Sequence, residues 1–262
     1  MGATNATSLL THRYSILKVM YLAVDIGGTK TLVASMSKSG EITKSSKFPT
    51  PRDYEQFLTE LTEHLNGLEQ DFVRGVVAAP GKIDRKHGRV IAFGNIDWTN
   101  VPLEADIQKI AHCPIQIEND TKLAGLSEAI NIIHEFKKCL YVTISTGISN
   151  ALTVNGVLDP DLIDSESGHM LLEHDGKLRT WESFASGKAI VAKYGKRASE
   201  ITNKSDWKAI SRNIAVGLID LMAVIQPEVI VIGGGVGTHF EKFKEPLIEQ
   251  LKRYETPLVP LP

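Results

Sequence analysis

Two short glycine-containing segments have the residue types that bind phosphate groups. They are Asp25-Ile-Gly-Gly-Thr-Lys30 and Ser145-Thr-Gly-Ile-Ser149. Glycine lets main-chain N–H groups approach phosphate oxygens closely. A carboxylate such as that of Asp25 can hold a hydrated Mg²⁺ through water beside them. Taken alone, the first segment also fits a plain hairpin turn, and the second is more typical of a surface turn.

An acidic residue at the start of a predicted helix is the candidate catalytic group. Glu118, Asn119 and Asp120 follow a predicted strand, at the sheet edge where open α/β folds bind ligands. Asp120 could take a proton from a substrate hydroxyl as that hydroxyl attacks a phosphoryl group. Asn and Asp are also favoured as helix N-caps, so capping is the structural alternative.

Two further segments have residue types suited to a sugar or a nucleoside. Glu166, His169 and Glu182 could accept and donate hydrogen bonds to vicinal hydroxyls, although solvated loop charges would explain them equally well. The triple glycine at 233–235 follows a predicted strand and would let adenine or ribose lie against the backbone. A strand-to-helix turn is its alternative explanation.

The hydrophobic pattern places these residues on a mixed α/β chain. Apolar and alternating runs predict strands, and helical spacing of leucines and isoleucines predicts helices. Segment 95–102 is predicted to be a loop, and 166–187 is irregular and polar. The predicted strands are 21–24, 31–36, 41–48, 72–79, 114–118, 140–144, 151–154 and 229–232; the predicted helices begin at 53 and span 103–111, 121–133, 207–225 and 239–253.

One internal similarity restricts the possible phosphate-binding folds. The order strand, glycine turn, strand occurs at 21–36 and again at 140–154. A P-loop or dinucleotide fingerprint needs a helix immediately after its glycines, so both are disfavoured. Two glycine hairpins in two similar lobes are instead expected to meet one phosphate chain from opposite sides.

Composition excludes several classes of protein. The 262 residues suit one large domain or two lobes, and 29 basic against 31 acidic residues give a net charge of −2. This balance predicts no nucleic-acid or membrane partner. Cys113 and Cys139 are too few for a disulfide framework or a structural zinc site. Residues 1–19 are expected to be a flexible extension, without a secretory signal, of a soluble cytoplasmic protein.

The order of these motifs resembles the ROK family of sugar kinases, within the hexokinase/actin-like ATPase superfamily. The resemblance implies a two-lobed α/β actin-like ATPase (ribonuclease H-like) fold with the active site in the inter-lobe cleft. The lobes would be 20–118 and 119–262, the latter without the family's last helix. The resemblance rests on Asp25-Ile-Gly-Gly-Thr-Lys-Thr, Pro80-Gly81, Gly94-Asn95 with Trp98, Glu118-Asn-Asp120, Ser145-Thr-Gly-Ile-Ser, Glu166-Ser-Gly-His169, Glu182 with Ser186-Gly187, and Pro227-Glu-Val-Ile-Val-Ile-Gly-Gly-Gly235.

The same resemblance implies roles for individual residues. Asp120 would be the general base on the sugar hydroxyl, and Asp25 would hold Mg²⁺ through water. The family's pattern also implies ATP as donor and a homodimer. The sugar-binding residues would be Asn95, Asn119, Glu166, His169 and Glu182; the residues facing the phosphates and nucleoside would be Asp25, Gly27, Gly28, Thr29, Lys30, Thr146, Gly147, Gly234 and Gly235.

The chain departs from the family pattern at two places that bear on its chemistry. Many members carry a Cys-x-Cys-Gly-x-x-Gly-Cys zinc loop where this chain has residues 174–181 without cysteine, so no zinc is predicted. The usual Gly-Thr-Gly-Ile-Gly is Ser145-Thr-Gly-Ile-Ser149 here, and the loss of two glycines is expected to reduce donor affinity or rate.

The sequence therefore predicts an ATP-dependent hexose kinase with Asp120 as general base. A polyphosphate-dependent glucokinase is an alternative, because those family members also resemble this zinc-free form. Its basic track would be Lys82, Arg85, Lys86 and Arg89. A non-catalytic sugar sensor or transcriptional regulator, as some ROK proteins are, is the alternative from another class.

Overall fold

The computed structural model describes residues 19–68, 71–94 and 96–262. The predicted extension up to residue 18 and the predicted sugar ligand Asn95 lie outside the described residues. Two main β-sheets, each with its own hydrophobic core, organise the chain. Among the described residues, no helix combines the length and apolar character needed to cross a bilayer.

The first main sheet has five strands in the order β3-β2-β1-β4-β8. Strands β1, β4 and β8 are parallel, so their carboxyl ends lie at one edge, whereas β2 and β3 continue the sheet antiparallel. Its elements, with a small sheet formed by β5, β6 and β7, are β1 (Met20–Ile26), β2 (Lys30–Ser37), β3 (Ile42–Pro49), α1 (Tyr54–Asn66), β4 (Phe72–Ala79), β5 (Lys82–Asp84), β6 (Arg89–Ala92), β7 (Thr99–Val101), α2 (Leu103–Ala111) and β8 (Ile115–Asn119).

The second main sheet has four strands in the order β11-β10-β9-β14. Strand β9 pairs antiparallel with β10 and parallel with β14. Its elements are α3 (Asp120–Ile132), β9 (Lys138–Ile144), β10 (Ile148–Val154), β11 (Val157–Leu158), β12 (Leu171–His174), β13 (Lys177–Thr180), α4 (Glu182–Ala185), α5 (Gly187–Tyr194), α6 (Lys204–Ile225), β14 (Val229–Gly233), α7 (Gly234–Gly237) and α8 (Phe240–Lys252).

The two sheets repeat one arrangement. In each, a central strand turns back through a glycine hairpin into an antiparallel neighbour and pairs in parallel with a later strand on its other side: β1 with β2 and β4, and β9 with β10 and β14. The strand-turn-strand similarity predicted from the sequence is confirmed. The repeat places both glycine turns at the carboxyl end of a central strand.

A buried tryptophan anchors the segment that precedes one predicted site residue. Trp181 is fully buried, and its Nε1–H donates to the carbonyl oxygen of Asn213 at 3.1 Å. Gly217 on α6 permits this packing, because a Cβ there would lie 2.2 Å from the indole ring. Since Trp181 immediately precedes Glu182, the core of the second sheet fixes the backbone that carries the Glu182 carboxylate.

The structure differs from the predicted elements mainly where strands are short. The predicted loop 95–102 contains β7, and the predicted irregular segment contains the β12–β13 hairpin and α4. That hairpin turns at Asp175 and Gly176, which have φ angles of 53° and 73°, the conformation that Asp-Gly favours in a two-residue turn. Strand β10 begins at Ile148, three residues earlier than predicted, so the second glycine turn is tight.

Candidate functional site

An internal hydrogen bond and two hydrogen bonds from Thr50 fix the first glycine turn. The N–H of Gly27 donates to the carbonyl oxygen of Lys30 at 3.0 Å. The Thr50 hydroxyl donates to the carbonyl oxygen of Gly27 at 2.7 Å, and its N–H donates to that of Thr29 at 3.1 Å. Gly28, Thr29 and Lys30 are exposed. The turn is therefore fixed while its tip is accessible to a ligand.

The second glycine turn lies against Glu182. The N–H of Ile148 donates to Oε2 of Glu182 at 3.3 Å, and a Cβ at Gly147 would lie 2.7 Å from the same oxygen. The N–H of Gly187 donates to the carbonyl oxygen of Ser145 at 2.7 Å, which ties the turn to the start of α5. A residue predicted to bind sugar and a turn predicted to bind phosphate are thus in direct contact.

The segment with Glu166 and His169 packs on the same hairpin. A Cβ at Gly168 would lie 2.1 Å from the carbonyl oxygen of Ile148, so only glycine permits this approach. The Ser149 hydroxyl donates to Oε2 of Glu166 at 3.4 Å. Glu166 and His169 are exposed, and the His169 ring makes no hydrogen bond within the described part of the chain. Both side chains are available to a ligand.

At the start of α3, Asn119 caps the helix and Asp120 is exposed to solvent. The side-chain oxygen of Asn119 accepts from the N–H groups of Thr121 at 3.0 Å and Lys122 at 3.3 Å, and its amide nitrogen donates to the carbonyl oxygen of Gly81 at 3.2 Å. Asn119 is buried and is therefore the helix cap, while its binding of sugar stays a prediction. Asp120 is exposed, with Oδ1 accepting from the N–H of Thr121 at 2.7 Å.

The strand register brings Asp25 towards Asp120. Asp25 of β1 pairs with Ala78 of β4, which pairs with Glu118 of β8, so Asp25 and Glu118 are about 10 Å apart across two strand spacings. Partial burial raises the pKa of Asp25, the charge of Asp120 raises it further, and Lys47 lowers it. The two carboxylates therefore repel each other electrostatically at the carboxyl edge of the sheet.

A cavity of about 750 Å³ opens beside the second glycine turn. Gly234, which precedes the lining residue Gly235, has a φ of +80°, and a Cβ there would lie 2.5 Å from the carbonyl oxygen of Ile144. Sequence reasoning missed Lys188, Arg197 and His239, because nothing in the pattern separates them from surface charges. The cavity is lined in part by Ser145, Thr146, Lys188, Arg197, Gly235 and His239.

Comparison with known proteins identifies the family. The ROK family profile matches residues 21–257. The chain belongs to the ROK family.

Curated relatives of this ROK protein are sugar kinases. A glucokinase of Streptomyces coelicolor is 23% identical over 89% of this chain and 87% of its own length. An N-acetyl-D-glucosamine kinase of Citrobacter koseri is 27% identical over 93% and 92%. The ROK family glucokinase of Streptomyces griseus, solved with glucose and AMPPNP, superimposes with a TM-score of 0.75 at 22% identity and covers 92% of each chain. The predicted two-lobed actin-like fold is confirmed.

In this ROK protein a β-hairpin occupies most of the segment 174–181, for which the sequence predicts no zinc. The ring of His174 stacks on that of Phe184 with 4.1 Å between centroids, and its Nε2 lies 3.2 Å from Oδ1 of Asn213. These contacts dock the β12–β13 hairpin on the second core without cysteine ligands. That this ROK protein binds no zinc stays a prediction.

The basic residues considered for a polyphosphate track mostly have partners. Nε of Arg85 donates to Glu118 at 2.7 Å, and its Nη1 donates to Asp164 at 2.8 Å. Lys82 also pairs with Asp164, at 3.2 Å. Nε of Arg89 donates to the side chain of Asn100 at 2.8 Å. Arg85, Lys82 and Arg89 therefore already have protein partners for the cationic groups that would have to bind a polyphosphate chain.

Proposed function

We propose that this ROK protein transfers the terminal phosphoryl group of ATP to a hydroxyl of a hexose. The observation that carries the proposal is the placement of Asp120. It is exposed at the carboxyl edge of the first sheet, and its charge raises the pKa of Asp25. The sugar kinases among its relatives support the reaction class.

Asp120 is the proposed general base. Because its Oδ1 already accepts from the N–H of Thr121, Oδ2 is free to accept the proton of the sugar hydroxyl. The hydroxyl oxygen then forms a bond to phosphorus, and the bond from phosphorus to the nucleoside diphosphate breaks. The exposed side chains of Glu166 and His169 are proposed to orient the sugar, together with Glu182, Asn119 and Asn95.

The donor side is assigned to the two glycine turns and the cavity. The exposed turn at Gly28, Thr29 and Lys30 and the opposite turn at Thr146 and Gly147 offer main-chain and side-chain donors to phosphate oxygens. The cavity of about 750 Å³, lined in part by Gly235 next to Gly234, has room for a nucleoside. It favours a nucleotide over polyphosphate as donor.

Asp25 fits the Mg²⁺ that this chemistry uses. Its side chain reaches solvent, but the surrounding protein partly desolvates the carboxylate, and this desolvation together with the charge of Asp120 makes its negative charge unfavourable in the free protein. Carboxylate oxygen is a hard donor of the type that Mg²⁺ prefers, usually through water. When bound, the cation supplies charge neutralisation for the transferring group.

A coupled assay tests the proposal and its alternatives. Each of glucose, fructose, mannose, N-acetylglucosamine and N-acetylmannosamine is paired with ATP–Mg²⁺ or with polyphosphate. Turnover with ATP on at least one hexose is the expected result. Turnover with polyphosphate alone would favour the alternative donor. Sequence-selective DNA binding with no turnover would favour a regulator and overturn the proposal.

A further inference from the structure

A buried lysine joins three segments of the proposed site. Lys122 is on the first turn of α3, two residues after Asp120, and it is only 2% exposed. Its Nζ donates to the main-chain carbonyl oxygens of Asn150 on β10 and Ser165 on the following loop, the latter at 2.9 Å. One ammonium group thus connects the helix of the proposed base to the loop that carries Glu166.

The charged groups that act on Lys122 belong to the first sheet and its β5–β6 hairpin and to the loop that carries Glu166. Burial lowers the pKa of Lys122, whereas the carboxylates of Glu166 and Glu118 raise it, Arg85 lowers it and Asp164 raises it. Two carbonyl oxygens accept from its three N–H groups, and no third acceptor occurs within the described ranges. The surrounding carboxylates and carbonyl dipoles offset the cost of holding a cation there.

The loop before Glu166 is also fixed by Asn150. The amide nitrogen of Asn150 donates to the hydroxyl of Ser165 at 2.8 Å, and its side-chain oxygen accepts from the N–H of Ser167 at 3.1 Å. These contacts hold the loop to β10. Of the hydrogen bonds that this loop makes within the described residues, only that of Lys122 connects it to α3, and therefore to Asp120.

We infer that Lys122 is a positioning residue that sets the distance between the proposed base Asp120 and the sugar held at Glu166. The inference rests on the proposed function. A sugar hydroxyl must lie within hydrogen-bond reach of the base and in line with the phosphoryl group, and both requirements fail when the loop shifts against α3. Lys122 touches neither reactant in this role, since it is covered by protein.

Lys122→Met is the direct test, because it keeps the length of the apolar stem and removes the ammonium group. Steady-state kinetics on the best hexose are expected to show a higher KM for the sugar and a lower kcat, with kcat/KM reduced roughly 10²-fold. The affinity for ATP–Mg²⁺ measured without sugar is expected to be unchanged. ATP hydrolysis without sugar phosphorylation is expected to rise relative to wild type, since a displaced acceptor lets water compete.

A matched control separates positioning from general stability. Lys138 is a half-buried lysine whose Nζ also donates to a main-chain carbonyl oxygen, that of Ile225. It lies at the start of β9, at the end of the strand opposite the glycine turn. Lys138→Met is expected to lower the melting temperature while the sugar KM stays at the wild-type value.

Lys122→Gln keeps the inference falsifiable if the methionine variant does not fold. The glutamine amide keeps two N–H donors without the charge, on a side chain one bond shorter, so a sugar KM between those of wild type and Lys122→Met is expected. A folded variant, Met or Gln, with wild-type sugar KM and kcat would overturn the inference alone. A wild-type protein that neither binds nor phosphorylates any hexose would overturn the proposed function, and this inference with it.

Discussion

The charge of Asp120 raises the pKa of Asp25, although Asp120 begins α3 and Asp25 lies near the end of β1, on the far side of β4. Two carboxylates that repel each other are a cost to the free protein. The cost is relieved when a cation or a proton enters between them. The same two carboxylates are the proposed Mg²⁺ ligand and the proposed general base, so their repulsion bears directly on the proposed reaction.

Removing the proposed base is the first prediction. Asp120→Asn is expected to lower kcat by roughly 10²–10⁴, the usual contribution of a general base, with little loss of sugar affinity. Asp71→Asn is the matched control, because Asp71 is exposed just before β4, at the end of that strand away from the site. Kinetics and calorimetric sugar binding check the pair. Near-wild-type turnover in Asp120→Asn would remove Asp120 from the role.

The second prediction concerns Asp25 and pH. The pKa of Asp25 is higher in the folded protein than in the unfolded chain, so this carboxyl adds stability as pH falls through the folded value and removes it as pH rises. Asp25→Asn is expected to raise the melting temperature of the ligand-free protein at neutral pH and to lower kcat/KM for ATP–Mg²⁺ on the order of 10²-fold.

Thermal unfolding of wild type and Asp25→Asn between pH 4 and pH 7 checks the sign. The stability advantage of the variant is expected to shrink as the solution becomes more acidic. An advantage that grows on acidification would contradict the raised pKa. A melting temperature below wild type at neutral pH would show that Asp25 is not a cost to the fold.

The ion pairs of Arg85 give the third prediction. The guanidinium of Arg85 pairs with Glu118 of β8 and with Asp164, which lies on the segment between β11 and β12. The Glu118 side chain is only 13% exposed. Arg85→Ala removes the guanidinium from that carboxylate, which then keeps the N–H of Asn119 at 2.6 Å, and the loss costs about 1–3 kcal/mol. The melting temperature is expected to fall by about 3–8 °C.

Arg52 provides the comparison. It pairs with Asp97 at 3.1 Å, but both side chains are more than three-quarters exposed. Arg52→Ala is expected to change the unfolding free energy by less than about 1 kcal/mol, as is usual for surface pairs. Equal melting temperatures for Arg85→Ala and Arg52→Ala would mean that the partly buried Arg85 contacts add no more stability than the exposed Arg52 pair.

The neighbouring glycines 234 and 235 give the fourth prediction. Alanine at Gly234 must adopt a φ of +80° and would lie 2.6 Å from the hydroxyl oxygen of Thr143, so Gly234→Ala is expected to lose about 1–3 kcal/mol of stability. A Cβ at Gly235 meets no atom within 4 Å.

Because Gly235 lines the proposed nucleotide cavity, Gly235→Ala is expected to keep the wild-type melting temperature and raise the KM for ATP. Differential scanning fluorimetry and ATP titration separate the two effects. Wild-type ATP affinity in Gly235→Ala would argue against a nucleoside beside this residue. Wild-type stability in Gly234→Ala would contradict the close approach to β9.

The main strands and the turns were predictable because local pattern determines them. Strand β1 alternates buried and less buried positions, and glycine follows it where the chain must reverse. The polar start of α3 was also predictable, since Asn119 is a common N-cap residue. Sequence alone left open whether Asp120 caps the helix or faces solvent. The structure resolves this, because the neighbouring Asn119 takes the capping role.

The contacts of Lys122 and Trp181 could not be read from the sequence. A lysine on the first turn of a helix normally points to water, and the carbonyls that accept from Lys122 belong to distant segments. The burial of Trp181 depends on the absence of a side chain at Gly217, on the third α-helix that follows it. Such pairs arise from tertiary packing, which leaves no periodic signal in the chain.

The first sheet consists entirely of residues 20–119, whereas the second is incomplete until β14. A ribosome therefore releases every strand of the first sheet before it has synthesised β14 of the second, and N-terminal units generally fold first during synthesis. Asp25 and Asp120 emerge from the exit tunnel ahead of the whole cavity at Thr146 and Gly235. In the nascent chain the carboxylates of Asp25 and Asp120 are therefore present before the residues that line the cavity.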